Sequence, residues 1–405
     1  MFKRCFAIAV LAALVLLPPA SSSAESVPPP HWVGTWATAS MLADVPGAIR
    51  MLSGVTLRQI VHISAGGAQV RIRFTNEFGL DPLIINDAHA ALSAGGSSIR
   101  PGSDHALTFG GARTVNVPPG AAIFSDPVAL RVAPLASVAV TIYLPPQVMR
   151  AETYHYLAAG DNFVAQGDVA GAPDLPQSTT IHSWYFLDGI DVAADSDAYS
   201  IVALGDSITD GWTSTPNANH RWPDVLASRL QADAGHKNTG VLNAGIGGNR
   251  VLNEGYGPSA ISRVDRDVLA QSGVRYVILL ESINDIARVG HSTVPADNIT
   301  AEQVEWGFKQ IVDAAHEHGI KVIGSTIMPI AHDVSENSEQ IRDAVNVWIR
   351  TSGAFDGLID FDQITRDPAN PRRLSAKYDS GDHVHPNDTG YQAMGSGIDL
   401  TLFAK

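Results

Sequence analysis

The stretch IVALGDSITDG, residues 201–211, joins a run of apolar residues to a turn rich in Gly, Asp and Ser. The apolar run does not alternate with polar residues, which is typical of a strand that is buried on both faces of a sheet. Similar uninterrupted runs follow it along the chain, at residues 241–242, 277–280, 322–323 and 358–359. Strands of this kind belong to parallel sheets covered by helices, so the C-terminal half is predicted to be an α/β fold.

Helical segments separate these runs. They are expected at 222–234, 259–270, 301–318 and 338–351, with a last helix after Pro386. Gly235 and Gly319 stand where helix C-terminal glycines are common. The alternation predicts a flavodoxin-like, three-layer α/β/α domain over residues 198–405, in which ligands bind beyond the carboxyl ends of the strands.

The N-terminal half has a different periodicity. From about residue 31 to 190, apolar and polar residues alternate with period two, which is typical of antiparallel strands with one buried face. The clearest runs are Thr56–Ile63, Val70–Thr75, Pro82–Asn86, Ala129–Val132 and Val138–Leu144. We predict an all-β sandwich domain at residues 31–190. The polar stretch that holds Asp188, Asp191, Asp195 and Asp197 is the best candidate for a linker to the second domain.

The first 24 residues have the pattern of a targeting segment. Lys3 and Arg4 precede an apolar stretch, 6–17, and small residues follow it as far as Ala24. We predict a signal peptide at residues 1–24 and a secreted or periplasmic mature protein. The apolar stretch is shorter than the ~20 residues that span a bilayer, so no stable membrane insertion is expected. Cys5 is the only cysteine and would leave with the signal peptide, so no disulfide or thiol chemistry is expected.

The charge balance limits the partners. The 405-residue chain has 27 Lys and Arg against 41 Asp and Glu, a net charge of −14, and no long basic run. Such a surface does not attract phosphate backbones, so nucleic acid is not expected as a partner. Acidity does not exclude an uncharged ester or polysaccharide. The oligomeric state is unknown from the sequence.

Ser207 lies in the turn after the first buried strand, where the next helix begins. A serine there has its hydroxyl at the ligand-binding edge, beside backbone N–H groups that favour an anion. This position suits a nucleophile, but Asp and Ser are also common helix N-caps. The segment alone leaves both interpretations open.

A nucleophilic serine needs a base, and the sequence DHVHPN, residues 382–387, offers one before the last helix. Asp382 and His385 are three residues apart, so the carboxylate can orient the imidazole while the other ring nitrogen faces a serine. His383 is the competing candidate. The non-catalytic alternative is a histidine in an ion pair at the protein surface.

Two further segments follow strands. The glycines of NAGIGGNR, residues 243–250, allow close approach of a backbone N–H to a ligand, and Gly248 is the candidate donor. In ESIND, residues 281–285, the Asn284 side chain can donate to a developing oxyanion. Alternatively, the glycines form an ordinary turn and Asn284 caps the next helix.

Together the four segments resemble the blocks of the SGNH/GDSL hydrolase (esterase/lipase) superfamily, in the family's order, over about residues 198–405. The resemblance implies that Ser207 is the nucleophile, His385 the general base and Asp382 its orienting acid. It further implies that Gly248, Asn284 and the Ser207 N–H form an oxyanion hole, and that no cofactor is required. The sequence departs from the family at Ser282, where the family usually has Gly, and a side chain there is expected to crowd the site or alter its polarity.

Two other features have a structural and a functional interpretation. His316 and His318 suggest a metal site, but residues two apart on a helix face different directions, so no metal is expected. Trp212 and Trp222 follow the nucleophile and either line a pocket or belong to the core.

The resemblance implies a carboxylic ester hydrolase that works through an acyl-enzyme intermediate. We favour short acyl esters, acetyl above all, with an acylated carbohydrate as the substrate class. The alternatives are a lipase or acylhydrolase acting on longer acyl chains, and a carbohydrate-binding protein with a degenerate esterase domain.

Overall fold

A computed structural model describes residues 30–44, 52–330 and 334–403. The residues from His31 onward form one compact unit. The predicted signal peptide and its cleavage site lie outside the described residues.

The strands before residue 195 are antiparallel. In chain order they are β1 (His31–Ala37), β2 (Met41–Leu42), β3 (Val55–His62), β4 (Val70–Thr75), β5 (Leu83–Ile85), β6 (Asp87–Gly95), β7 (Ser98–Ile99), β8 (His105–Ala106), β9 (Val115–Val117), β10 (Ala122–Phe124), β11 (Ser137–Leu144), β12 (Thr153–His155), β13 (Asn162–Gln166), β14 (Thr179–Ile181), β15 (Trp184–Tyr185) and β16 (Leu187–Ala194). The predicted strand Ala129–Val132 is reduced to isolated bridges, such as that between Val132 and Gly67.

Two larger sheets dominate this antiparallel half. One has the strand order β1-β16-β4-β10, and the other has the order β14-β13-β3-β11-β6-β7, with β8 also paired to β6. Two smaller sheets, β15-β12-β2 and β5-β9, complete it. Leu57 and Val140 of the larger sheet and Ile72 and Ile190 of the four-stranded sheet belong to one buried core. The alternating pattern therefore correctly predicted a strand-rich antiparallel domain with one apolar interior.

The predicted linker is partly a strand. Asp188 and Asp191 lie inside β16 and are buried. Arg71 donates to Asp191 at 2.8 Å, and Arg73 lies 3.3 Å from Asp188 on the neighbouring strand β4. These cross-strand partners explain how two carboxylates occupy a strand in the middle of a sheet.

The strands after residue 198 form a parallel five-stranded sheet. They are β17 (Tyr199–Gly205), β18 (Thr239–Gly245), β19 (Val274–Leu280), β20 (Lys321–Ser325) and β21 (Gly357–Ile359). Their order, β18-β17-β19-β20-β21, is the doubly wound, flavodoxin-like order, as predicted. Strand β17, which precedes the Gly-Asp-Ser turn and lies between β18 and β19, has all seven residues buried.

Eight helices are described between these strands and after them. They are α1 (Ser207–Asp210), α2 (Trp222–Ala232), α3 (Ala260–Val264), α4 (Ile283–Ala287), α5 (Ala301–Glu317), α6 (Glu336–Thr351), α7 (Phe361–Thr365) and α8 (Asp388–Gly397). A π-helical turn, Asp265–Leu269, continues α3, and short 3₁₀ turns lie at Pro295–Asp297 and Leu400–Phe403. Helix α2 packs on α8, and α3 and α6 pack on α5. These helices therefore form two groups, α2 with α8 and α5 with α3 and α6.

The antiparallel half covers the edge strand β18 of the parallel sheet. The Val241 N–H donates to Ser64 Oγ at 2.8 Å, and Ser64 Oγ donates to the Thr35 carbonyl at 2.6 Å. Gly240 lies so close to Gly34 that a Cβ on Gly240 would meet the Gly34 carbonyl oxygen at 1.9 Å. Because an exposed edge strand has unpaired backbone groups, this contact satisfies groups that β18 would otherwise present.

Candidate active site

Ser207 is the first residue of α1, directly after β17. Asp206 is the N-cap of this helix, and its Oδ1 accepts from the Ile208 N–H at 2.9 Å. The capping role therefore falls to Asp206, and the Ser207 hydroxyl is left for another partner. Ser207 is only 7% exposed, but its side chain lines a cavity at the end of the sheet.

The partner of Ser207 is His385. Ser207 Oγ lies 2.8 Å from His385 Nε2, and His385 Nδ1 lies 2.7 Å from Asp382 Oδ2. An ionised carboxylate only accepts hydrogen bonds, so Nδ1 carries the proton and Nε2 accepts from the serine hydroxyl. The three side chains form a continuous hydrogen-bonded chain from the loop before α8 to the start of α1.

The Asp382 carboxylate is held ionised. Partial burial opposes ionisation, but hydrogen bonds from the backbone N–H groups of His385 and Val384 and from the His385 ring outweigh it. Together they lower the pKa of Asp382 to about 2. This group therefore keeps its negative charge at neutral pH and can orient the imidazole.

His383, the competing histidine, belongs to a different pair. Its Nδ1 lies 2.6 Å from Asp379 Oδ2, and its side chain is about half exposed. Its backbone φ of +68° turns the chain between Asp382 and His385. The geometry separates the two histidines, because His385 contacts Ser207 and His383 contacts Asp379.

Gly248 and Asn284 lie at the same cavity. The backbone of Gly248 has φ +73°, and a Cβ there would meet the Tyr256 ring at 2.4 Å, so glycine is required on both grounds. The Asn284 side-chain amide donates to the Asn249 carbonyl at 2.9 Å, which leaves its second N–H for a ligand. The Ser207 N–H, in the first turn of α1, has no carbonyl of the same helix to donate to.

The cavity has a volume of about 420 Å³. Three aromatic residues line it beside the five polar and glycine positions, and the complete lining is Tyr156, Ser207, Trp212, Gly247, Gly248, Tyr256, Asn284 and His385. The five predicted site residues are thus together, with Asp382 behind His385. Trp212 lines the cavity, whereas Trp222 is fully buried against Phe361 and belongs to the core.

Arg263 contacts the strand ends that lead into the site, and the sequence did not predict this role. Its fully buried guanidinium donates to the Gly205 carbonyl at 2.9 Å, to the Ala244 carbonyl at 2.6 Å and to Asn249 Oδ1. Asp267, one helical turn further on, balances its charge at 2.8 Å. Arg263 thereby holds together the ends of β17 and β18, from which Ser207 and Gly248 follow. The only signal in the sequence was the i,i+4 spacing of Arg263 and Asp267.

A pair of buried carboxyl groups, Asp206 and Glu281, lies beside Ser207 at the ends of β17 and β19. They follow the paired strand ends Gly205 and Leu280, so the two carboxyl groups lie near one another. Burial raises the pKa of Asp206 to about 6, and burial together with the nearby Asp206 carboxylate raises the pKa of Glu281 well above its usual value. The pair therefore binds protons more tightly than two isolated carboxyl groups would.

Ser282 has a backbone φ of +88°, the left-handed region that favours glycine. Its side chain is fully buried, and its hydroxyl finds no hydrogen-bond partner among the described residues. Ser282 is not part of the cavity lining, so the expected crowding of the cavity does not occur. The departure from the family pattern instead strains the backbone next to Asn284.

The histidines of the suspected metal motif have other contacts. His316 lies 2.8 Å from Asp356, and His318 contacts the Ala314 carbonyl on the same helix. Among residues 30–44, 52–330 and 334–403, no cluster of His, Cys, Asp and Glu has the arrangement of a metal site. In the same part of the chain, no helix is long and apolar enough to span a membrane.

Residues 203–393 match the family of GDSL-like lipases and acylhydrolases. The C-terminal half of the chain is therefore a domain of the GDSL/SGNH hydrolases, as the motifs predicted, and the protein is a carboxylic ester hydrolase. The comparison with curated proteins found no match.

Solved structures that resemble the chain cover about half of it. They include a GDSL-like lipase from Bacteroides thetaiotaomicron, with 20% identity, a TM-score of 0.38, and coverage of 50% of this chain and 87% of that one. A member of the G-D-S-L lipolytic family from Veillonella parvula has 20% identity, a TM-score of 0.37 and coverage of 49% and 95%. An acetylxylan esterase from Geobacillus stearothermophilus has 18% identity, a TM-score of 0.40 and coverage of 50% and 93%.

Proposed function

We propose that the protein is a serine esterase that cleaves short acyl esters, acetyl esters above all, through an acyl-enzyme intermediate. The observation that carries this proposal is the unbroken hydrogen-bonded chain Ser207–His385–Asp382, which opens on a cavity lined by Gly248 and Asn284. This arrangement joins a nucleophile, a base and an orienting acid to an adjacent set of N–H donors.

In the first half of the reaction, Ser207 Oγ attacks the ester carbonyl carbon and its proton passes to His385 Nε2. The carbonyl oxygen becomes an oxyanion, which accepts hydrogen bonds from the Ser207 N–H, the Gly248 N–H and the Asn284 amide. His385 then gives its proton to the leaving alcohol, the carbon–oxygen bond to that alcohol breaks, and the acyl group remains on Ser207. Asp382 stabilises the imidazolium and keeps Nδ1 protonated throughout.

In the second half, water replaces the alcohol. His385 Nε2 takes a proton from the water, whose oxygen attacks the acyl carbon, and the same N–H donors receive the second oxyanion. The bond to Ser207 then breaks, Ser207 Oγ regains its proton from His385, and the carboxylic acid leaves. Water contributes both the hydroxyl group and the proton, so the cycle needs no cofactor.

The preference for short acyl groups is supported by the cavity. Its volume of about 420 Å³ is near the lower end of the range for small-molecule sites, roughly 300–1,000 Å³. Tyr256 packs over Gly248, and Tyr156 and Trp212 form another part of the wall. This space must hold the acyl group and the beginning of the alcohol, which favours an acetyl group over a long chain.

The experiment is hydrolysis of p-nitrophenyl esters from acetyl to palmitoyl. We expect kcat/KM to be highest for the acetyl ester and to fall with chain length, and Ser207→Ala and His385→Ala each to lose at least about 10³-fold. His383→Ala is the matched control, because His383 contacts Asp379, and it should retain most of the activity. Activity that rises with chain length would favour a lipase, and hydrolysis that persists in Ser207→Ala would contradict the mechanism.

We further propose that the protein is exported, on the pattern of residues 1–24. The mass of the protein recovered outside the cytoplasm of an expressing bacterium tests this proposal. A mature N-terminus at Glu25 supports it, and a protein retained in the cytoplasm with Met1 contradicts it.

A further inference from the structure

We propose that Tyr156, a residue of the antiparallel half, determines specificity by binding the alcohol part of the substrate, and that this alcohol is a sugar ring with free hydroxyl groups. The inference rests on the proposed esterase function and specifies its leaving group. Tyr156 acts on substrate choice and takes no part in the proton transfers of Ser207 and His385.

Tyr156 reaches the catalytic cavity from the other half of the protein. It directly follows β12, and among the described lining residues it is the only one that precedes residue 199. A Cβ on Gly247 would lie 2.8 Å from the Tyr156 hydroxyl oxygen, so this hydroxyl rests against the backbone that leads into Gly248. The antiparallel half therefore forms part of the wall of the cavity.

The Tyr156 hydroxyl is available to a ligand. In the part of the chain that the structure describes, it makes no hydrogen bond, and the side chain is partly buried at the cavity wall. Burial, with Asp210 nearby, raises the pKa of this phenol, so it remains protonated and can both donate and accept. A polar group that faces a cavity without a partner discriminates between a substrate that hydrogen-bonds to it and one that does not.

The position of Trp212 indicates which part of the substrate Tyr156 contacts. The centre of the Trp212 ring lies 6.4 Å from the centre of the His385 ring and 6.1 Å from the centre of the Tyr156 ring. His385 delivers its proton to the leaving alcohol, so the alcohol lies on the side of the cavity where these rings meet. Trp212 is 39% exposed and offers an apolar face, while Tyr156 adds a hydroxyl. A sugar ring, with apolar C–H faces and a rim of hydroxyl groups, matches this combination.

The residue before Tyr156 fixes its position. His155 Nε2 lies 3.0 Å from Asp210 Oδ1, and His155 Nδ1 contacts the Ala39 carbonyl at 2.8 Å, with both side chains buried. Asp210 is the last residue of α1, which begins at Ser207, and its Oδ2 accepts from the Gly247 N–H at 3.2 Å. The contact therefore links β12 to the helix of the nucleophile, and Tyr156 is held in register with the cavity.

The test compares two acetate esters of six-membered rings, methyl 3-O-acetyl-β-D-xylopyranoside and cyclohexyl acetate. They share the acyl group and a secondary alcohol, but only the first has free hydroxyl groups. A hydrogen bond of ordinary strength is worth about fivefold to tenfold in kcat/KM. We expect Tyr156→Phe to lower kcat/KM for the xyloside by that factor and to change the value for cyclohexyl acetate less than twofold. Tyr256→Phe is the matched control and should leave the ratio of the two values unchanged.

The outcomes separate this inference from the proposed function. An equal change for both esters in Tyr156→Phe, or a shift of the ratio as large in Tyr256→Phe, overturns the role of Tyr156. Hydrolysis of cyclohexyl acetate by the unmodified protein without hydrolysis of the xyloside overturns the sugar assignment alone. If neither ester is hydrolysed in a manner that depends on Ser207, the proposed function fails and the inference fails with it.

Discussion

At the scale of single residues, the site contains one strained backbone position close to Asn284, one of the proposed oxyanion donors. Ser282 has φ +88°, and its buried hydroxyl has no partner among the described residues. For a residue with a Cβ, the left-handed conformation costs about 1–2 kcal/mol relative to the right-handed one. The strained residue follows Glu281, whose carboxylate accepts from the Ser282 N–H at 3.1 Å. It precedes by two residues Asn284, which lines the cavity.

Replacement of this serine by glycine should relieve the strain. We expect Ser282→Gly to raise the free energy of unfolding by about 1 kcal/mol, because the relief exceeds the entropy that glycine adds to the unfolded chain. Urea denaturation measures it. Ser282→Ala is the control, since it removes the orphaned hydroxyl but keeps the Cβ. Equal stabilisation by both variants would mean that the hydroxyl and not the backbone is the source of the strain, and a destabilised glycine variant would contradict the account.

At the scale of elements, the ends of neighbouring strands are joined by buried charged groups. Arg263 connects the ends of β17 and β18, and the Asp206–Glu281 pair connects the ends of β17 and β19. Asp285 adds a third link, because it accepts from the Val251 N–H at 2.8 Å and so fixes the loop after Gly248 to α4. The sheet edge that carries the site is therefore held by polar contacts between elements as well as by its apolar core.

The Asp206–Glu281 pair predicts a dependence of stability on pH. The pKa of both groups is higher in the folded state, so the folded protein binds these protons more tightly than the unfolded chain. Their contribution to stability is complete below pH 4 and is lost as the pH rises through about 6 and above. Glu281→Gln has a similar shape and cannot titrate, so the free energy of unfolding of this variant should fall less steeply over this range.

Urea denaturation between pH 4 and 8 checks this expectation. Glu317→Gln, at an exposed glutamate, is the control and should run parallel to the unmodified protein. A profile of Glu281→Gln that is parallel as well would show that the pKa of Glu281 is not raised in the folded protein.

At the scale of the whole molecule, the two halves share one catalytic cavity. The antiparallel half covers the β18 edge through Ser64, contacts α1 through His155 and lines the cavity through Tyr156. The residues from His31 onward accordingly form one compact unit, even though their two halves have different sheet types. The boundaries of the predicted domains, 31–190 and 198–405, remain a prediction.

The sequence predicted those parts of the molecule that depend on local pattern. The parallel strands followed from uninterrupted apolar runs, and the places of Ser207 and His385 followed from motifs after strands. The sequence did not predict Tyr156 as a cavity residue. A contact between distant parts of the chain brings it there, and the spacing of residues along the sequence does not indicate such a contact. The linker prediction is wrong for Asp188 and Asp191, because charged residues are uncommon inside a strand of a sheet. They lie inside β16 because arginines on β4 pair with them, and the local sequence does not show this pairing.

The proposed mechanism depends on Ser207 as a nucleophile that His385 activates. Reaction of the protein with a fluorophosphonate, which traps an activated serine covalently, followed by mass spectrometry of the peptides, tests this role. We expect a single adduct on the peptide that contains Ser207, and no adduct in His385→Ala. An adduct on another residue, or full labelling of Ser207 in His385→Ala, would show that Ser207 is not a serine activated by His385.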